Sequence, residues 1–229
     1  MSNKLDPLGV NLVDGGVNVA LFADHATAVD FCVRHDDGSE TRWRLPDKAR
    51  GVWHGFVPDI TAGTRYGFRV HGEWNPAEGH RHNPNKLLLD PYAKAIDGDW
   101  VLGREVFGYE YNPELPSDES IADERDSAHC IPACVVVDTS FDWSGDVRLD
   151  IDWHRTVIYE AHVKGMTKLH PAVPEHIRGT YAGLAHEAVI EHLLSIGVTA
   201  IELLPIHQIA HEEHLVDLGM TNYWGYNTI

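Results

Sequence analysis

Carboxylates, histidines and aromatic rings recur in this sequence at spacings that invite chemical readings. Glu160 and Glu202 each stand inside a short apolar run, residues 157–163 and 200–204. Two carboxyl groups held close together are the means by which glycosidic bonds are cut. Barrels also bury polar residues that satisfy one another, and that reading is preferred for this pair. His211, Glu212, Glu213 and His214 resemble a metalloprotease signature, but that motif spaces its histidines by four so that both face one side of a helix. With a spacing of three the expectation is a solvated polar turn. Beyond it, Tyr223, Trp224 and Tyr226 put three rings into four residues. On aromatic content alone such rings read as core, whereas in a loop at the carboxyl end of a barrel strand they form a wall on which a flat ligand such as a sugar can stack. His162, at the end of the first run, shares that position, with packing inside a barrel as the competing reading. Trp43, Trp53 and Trp74 could form a second stacking platform, but they alternate with apolar neighbours and read better as core. Glycine-rich phosphate loops and other cofactor motifs are absent.

The chain has 229 residues, 18 basic and 35 acidic, for a formal charge of −17. A uniformly acidic surface repels phosphate, so nucleic acid and anionic membrane are excluded as partners. Cys32, Cys130 and Cys134 are odd in number and show no Cys-x-x-Cys spacing. Neither a disulfide framework nor a zinc site is expected, and a reducing cytoplasm fits best. No apolar run approaches the ~18 residues of a spanning helix, and the first residues lack a signal-peptide core.

The elements that must position these groups follow from periodicity. Residues 17–23, 28–33, 40–45, 52–57 and 66–74 alternate apolar and polar side chains between turns at residues 36–39 and 58–63. Five short strands without a helical period predict an immunoglobulin-like β-sandwich. Residues 75–132 are looser. The apolar block 86–96 is expected to form one or two helical turns clamped on the sandwich by Leu87, Leu88 and Tyr92, the acidic stretch 117–126 a solvated loop, and residues 133–137 a last strand. Residues 139–156 read as a connector pinned down by Trp143 and Trp153. Then come a strand at 157–163, a helix at 184–196 with Leu184, Ala188, Val189, Leu193 and Ile196 on one stripe, a stop at Gly197, and a buried strand at 199–204. Strand, helix and strand make one βαβ unit. Two strands cannot cover a parallel sheet, so residues 157–229 are expected to be the start of a larger α/β domain.

Several stretches occur together in a known order. They are Pro7-Leu8-Gly9 with residues 17–33; residues 83–96, Asn-Pro-Asn-Lys-Leu-Leu-Leu-Asp-Pro-Tyr-Ala-Lys-Ala-Ile; residues 159–167, Tyr-Glu-Ala-His-Val-Lys-Gly-Met-Thr; residues 178–184, Arg-Gly-Thr-Tyr-Ala-Gly-Leu; residues 197–205; and residues 222–227, Asn-Tyr-Trp-Gly-Tyr-Asn. In these the chain resembles the N-terminal part of a bacterial glycogen debranching enzyme of the isoamylase type, in the alpha-amylase superfamily. Block 83–96 favours that family over glycogen branching enzyme. The resemblance implies a glycan-associated β-sandwich over residues 1–138, a connector over 139–156, and the first strands of an incomplete (β/α)8 barrel over 157–229. It implies hydrolysis of α-1,6 branch linkages in glycogen, branched α-glucan or limit dextrin, without a cofactor, through a carboxylate nucleophile and an acid about 5 Å apart. Those catalytic groups belong to later strands, so this chain holds none of them; they are expected beyond Ile229, and the chain alone is expected to be inactive. Tyr226 is implied to stack on the glucose at the cleavage point, with Trp224 beside it. Two alternatives stay open: a non-catalytic glycogen-binding protein, and a fragment of a branching enzyme.

An unfinished sheet exposes edges and faces, so limited proteolysis is expected to trim residues 157–229 before the sandwich. Equal resistance of the two parts would contradict that reading.

Overall fold

The computed structural model describes residues 3–112, 114–116 and 118–229. Pro113 and Ser117, at the starts of stretches read as polar loop, lie outside the described residues. Residues up to Ser140 and residues from Phe141 onward form two separate compact units.

The first unit is a β-sandwich. One sheet has the order β1 (Gly9–Val13), β2 (Gly16–Phe22), β6 (Val52–Pro58), β5 (Asp47–Ala49). The other has the order β10 (Ile96–Asp97), β11 (Ala133–Val135), β7 (Arg65–His71), β3 (Ala28–Arg34), β4 (Glu40–Arg44). A separate ribbon pairs β8 (Trp74–Asn75) with β9 (His80–Arg81). The expected inward residues are inward: Val17 and Val19 of β2 and Val29 and Phe31 of β3 have no exposed surface. Phe31 lies against Tyr66, Phe68 and Trp43 with ring centroids 5.5, 6.0 and 6.3 Å away. Trp43 and Trp53 pack against this core, as expected for indoles alternating with apolar neighbours. Trp74 is half-buried and its indole N–H donates to the Glu119 carbonyl at 3.2 Å.

Alternation predicts that β3 has a wet face, yet Ala28, Asp30 and Cys32 are buried too. Residues 83–90 and 123–130 form a polar cover in which Asn83, Lys86, Leu87, Asp90, Asp123, Ser127 and Cys130 are all buried. Here the expected helical turns of block 86–96 do not form. At Leu88 the block is extended, exchanging both backbone hydrogen bonds with Phe68 of β7 at 2.8 and 2.9 Å and filling the edge that β11 leaves open, and it then turns where the Ala93 N–H donates to the Asp90 carbonyl at 3.0 Å. Only Leu87 of the three expected clamps is buried; Leu88 is exposed, since an extended segment points successive side chains to opposite sides, and Tyr92 is exposed on the turn that follows. Gly67 makes room for it: a Cβ there would stand 2.9 Å from Leu87 Cδ1.

The cover is held by ionic groups. Lys86 Nζ donates to Asp123 Oδ2 at 2.5 Å and to the carbonyls of Glu105 and Arg125, each at 2.8 Å, so all three ammonium protons have acceptors. Arg69 of β7, 1% exposed, pairs with Glu40 of β4 and with Asp126 and also donates to the Pro84 carbonyl. Burial alone would raise the carboxyls of Asp123 and Asp126, but the bonds from Lys86, Arg125 and Arg69 outweigh it and hold both below the ordinary carboxylate range. For Asp90 burial prevails and raises the carboxyl, which accepts the Tyr66 hydroxyl at 2.8 Å. All three cysteines are free and buried.

In the second unit β12 (Ile158–Ala161) and β13 (Ala200–Leu203) pair in parallel, joined by α1 (Val163–Thr167), α2 (Tyr181–Leu184) and α3 (Glu187–Ser195); α4 (Glu213–Asp217) follows. The single helix expected over 184–196 is broken at Ala185 and His186, because the His186 ring accepts the Ala188 N–H and starts a new helix there. Val189 is buried as expected, while Ile196 is half-exposed at the C-terminal end. Gly197, at φ +82°, supplies the left-handed stop. The strand expected to be buried is not: Ala200, Ile201 and Glu202 are exposed, because a two-stranded sheet with short helices covers little of its own faces. Trp143 and Trp153, expected to pin residues 139–156, are 68% and 83% exposed. Trp143 rests only edge-on against Phe141, 4.6 Å away. Among the described residues no helix is long and apolar enough to cross a membrane.

Replacing Lys86 by Met leaves Asp123 buried with fewer donors, and a loss of about 3–5 kcal/mol in urea-unfolding stability is expected. Lowering the pH is expected to act in the same direction. A depressed folded-state carboxylate stabilises the fold above the ordinary value near ~4, and this is lost as pH falls through the folded value. Asp123 and Asp126 behave so. Asp90, raised, contributes in the opposite sense, favouring the fold at low pH and losing that contribution as pH rises. Against burial, the bonds from Arg44 and His71 lower Asp30 as well, so the depressed carboxylates outnumber Asp90 and the thermal midpoint should fall below pH ~4 and fall less in Asp123→Asn.

Candidate functional site

Both parallel strands end at the same side of their pair, and the ring-bearing residues gather there. His162 directly follows β12 and caps α1, its Nδ1 accepting the Gly165 N–H at 3.0 Å. An acceptor nitrogen carries no proton, so the proton is on Nε2, which donates to the Tyr223 carbonyl at 2.7 Å. The imidazole also stacks on the Tyr223 ring, with centroids 4.4 Å apart and planes 12° apart. Trp224 stands edge-on to both, 6.1 Å from His162 and 5.7 Å from Tyr223.

The loop that carries these rings is tied by its polar residues. The Asn222 side chain accepts the Gly225 N–H at 2.9 Å and donates to Glu212 Oε1 at 2.9 Å, and its backbone N–H donates to the His211 ring at 3.2 Å. Asn227 donates to the Ala210 carbonyl at 2.8 Å, and Ile209 and Thr228 form an antiparallel bridge. Of the residues 211–214 that imitate a metalloprotease motif, His211 and Glu212 thus brace the loop, while Glu213 and His214 begin α4 where a polar turn was expected. On the other side the Tyr181 hydroxyl donates to the Ile206 carbonyl at 3.0 Å.

The arrangement presents rings to solvent. Tyr223, Trp224 and Tyr226 are 46%, 58% and 67% exposed, so within this unit they are not core. His162 is half-buried beneath Tyr223. An exposed set of flat rings with one ring orientation locked by hydrogen bonds can stack on a pyranose face and cannot by itself break a bond. Glu160 and Glu202 are register neighbours on β12 and β13, and both are exposed. Of the three clustered rings, Tyr223 is the one that stacks on His162. Gly165 leaves the space for that stack: a Cβ there would stand 2.8 Å from the Tyr223 hydroxyl oxygen.

Residues 7–93 match the family of carbohydrate-binding module 48, the isoamylase N-terminal domain. Over 222 residues the chain is 48% identical to the glycogen operon protein GlgX homologs of Mycobacterium tuberculosis and Mycobacterium bovis, a match covering 97% of this chain and 30% of each relative. In sequence the chain is thus similar to the first part of these glycogen operon proteins, and within it residues 7–93 are similar to the isoamylase N-terminal domain. It spans about 30% of the length of the curated relatives it matches. Among solved structures, pullulanase from Paenibacillus barengoltzii superposes with a TM-score of 0.64 at 21% identity, over 97% of this chain and 31% of that one. The pullulanase of an Anoxybacillus species complexed with maltotetraose gives 0.65 at 22% identity, over 100% and 29%. At that identity these likenesses speak for the fold alone. The family match, from Pro7 through Ala93, takes in β1 to β9 and leaves out β10 and β11 of the sandwich.

Substituting Gly165 by Ala is expected to push the Tyr223 ring off His162 and to cost the second unit about 1–3 kcal/mol by overpacking. A changed near-ultraviolet circular dichroism signal with earlier thermal unfolding would show it; a spectrum identical to wild type would mean the stack does not depend on that space.

Proposed function

We propose that the chain supplies the glycan-associated sandwich and the first barrel strands of an enzyme that hydrolyses α-1,6 branch linkages in glycogen, branched α-glucan or limit dextrin. The observation that carries this reading is the 48% identity to the glycogen operon proteins, which runs through both units and so includes the ring-bearing loop as well as the sandwich. The second unit fits the opening of a (β/α)8 barrel: β12 and β13 are parallel, linked through helices, and His162 and the rings follow their carboxyl ends, the side on which such barrels build active sites. In this reading residues 1–138 are the sandwich, 139–156 the connector and 157–229 the start of the barrel. Tyr226 stacks on the glucose at the cleavage point, Trp224 forms the adjoining wall, and His162, held as the Nε2–H tautomer beneath Tyr223, sets the floor. The acid and nucleophile belong to other strands of the barrel, and the exposed pair Glu160 and Glu202 does not replace them. The three free thiols suit a reducing cytoplasm.

The test pairs two assays on the 229-residue chain. It is expected to cosediment with glycogen and to release no reducing ends from limit dextrin. Reducing-end release that Glu160→Gln or Glu202→Gln abolishes would overturn the assignment of catalysis to other strands, and absence of cosedimentation would remove the glycan-associated role of the sandwich. In a form of the enzyme that carries the whole barrel, Tyr226→Ala is expected to lower kcat/KM on branched dextrin by about 10- to 100-fold, or roughly 1.4–2.8 kcal/mol of transition-state stabilisation. Formation of new branches without reducing ends would identify a branching enzyme instead.

A further inference from the structure

The polar cover of the sandwich brings together three side chains that lie apart in the chain or in unpromising spacing. A carboxylate oxygen of Glu105, a ring nitrogen of His129 and the Cys130 sulfur all lie within 4.8 Å of one another. We infer that Glu105, His129 and Cys130 form a binding site for a divalent cation of the zinc type, which ties residues 103–106 to residues 127–130. Thiolate, imidazole and carboxylate together are a donor set that suits zinc, and three protein ligands leave a fourth tetrahedral position to water.

The surroundings are built for such a site. Gly103 is extended, with φ −152°, a conformation open to any residue, so its lack of a side chain answers to space. A Cβ there would stand 2.7 Å from Glu105 Oε2 and 3.6 Å from the Cys130 sulfur, crowding two of the three donors. The backbones that carry the donors are pinned on each side: the Glu105 carbonyl accepts Lys86 Nζ at 2.8 Å, the Cys130 N–H donates to the Ser127 carbonyl at 2.9 Å, and the Cys130 carbonyl accepts the Val101 N–H at 2.9 Å. Cys130 is buried, Glu105 half-buried and His129 exposed, so the site opens to solvent on the histidine side and a hydrated cation can enter there. Binding replaces the thiol proton by the metal, and that proton goes to solvent. Sequence spacing gave no sign of this, because the third donor, Glu105, comes from a different part of the chain.

The probe is Co2+ added to the full chain under reducing conditions, followed by displacement with Zn2+. One equivalent is expected to give a saturable thiolate-to-metal charge-transfer band with the visible spectrum of tetrahedral cobalt, and Zn2+ should abolish both. Cys130→Ser should lose the band. His129→Ala, an exposed position where folding is not at risk, should weaken Co2+ binding by at least ~10-fold, since loss of a direct ligand exceeds the usual effect of an outer partner. Gly103→Val should weaken it as well while leaving the other cysteines unchanged. A wild-type chain without a thiolate band, a band that survives Cys130→Ser, or an affinity unmoved in His129→Ala would each overturn the site.

Discussion

The first unit depends on a lysine that has left solvent. Lys86 brings a positive charge under the cover of the sandwich, where an ammonium without partners would be untenable. It is tolerated because Asp123 supplies the opposite charge and the carbonyls of Glu105 and Arg125 take the remaining protons. A point charge with three donors thereby joins three segments that share no secondary structure. Each of those segments would otherwise have to satisfy its backbone in water, and the face of β3 that carries Asp30 and Cys32 would be open. The same logic extends through Arg69, whose planar fork spans Glu40 on the adjoining strand and Asp126 on the cover.

This accounts for the uneven character of the chain between residues 75 and 132, which is low in apolar periodicity yet well buried in places. Burial there is achieved by satisfied polar groups: Asn83 donates to the carbonyls of Gly108 and Asp123 at 2.9 and 2.8 Å, and the Ser127 hydroxyl accepts the Leu87 N–H at 2.9 Å. Such networks specify one arrangement because any shift leaves several buried groups unpaired at once. The apolar core between the sheets needs no such accounting, since a buried Val17 or Val29 is stabilised by area alone.

The second unit is organised on a different principle. Its parallel pair has little apolar cover, and its order at the strand ends comes from local caps and turns: His162 on Gly165, Thr180 on Gly183, His186 on Ala188, Asn222 on Gly225. These short-range bonds fix ring positions without a large core beneath them. That is why His162 can hold one tautomer and one ring orientation while its neighbours stay exposed, and why the candidate site is defined by stacking geometry more than by burial.

Local pattern in the sequence determined the sandwich strands, the parallel strand pair, the left-handed stop at Gly197 and the clustering of Tyr223, Trp224 and Tyr226, since alternation, helix stops and ring spacing are properties of neighbouring residues. It misread whatever depends on distant partners. Block 86–96 has the composition of a helical turn, and only the free edge of β7 draws its first part, at Leu88, out into an extended bridge. The helix over 184–196 looked continuous because apolar spacing does not register a histidine that caps in mid-run. Trp143 and Trp153 have the area of anchors, but area becomes burial only where another surface meets it. The stacking of Tyr223 on His162 and the meeting of Glu105 with His129 and Cys130 were decided by the tertiary structure alone, because chain separation carries no information about distance once loops fold back on one another.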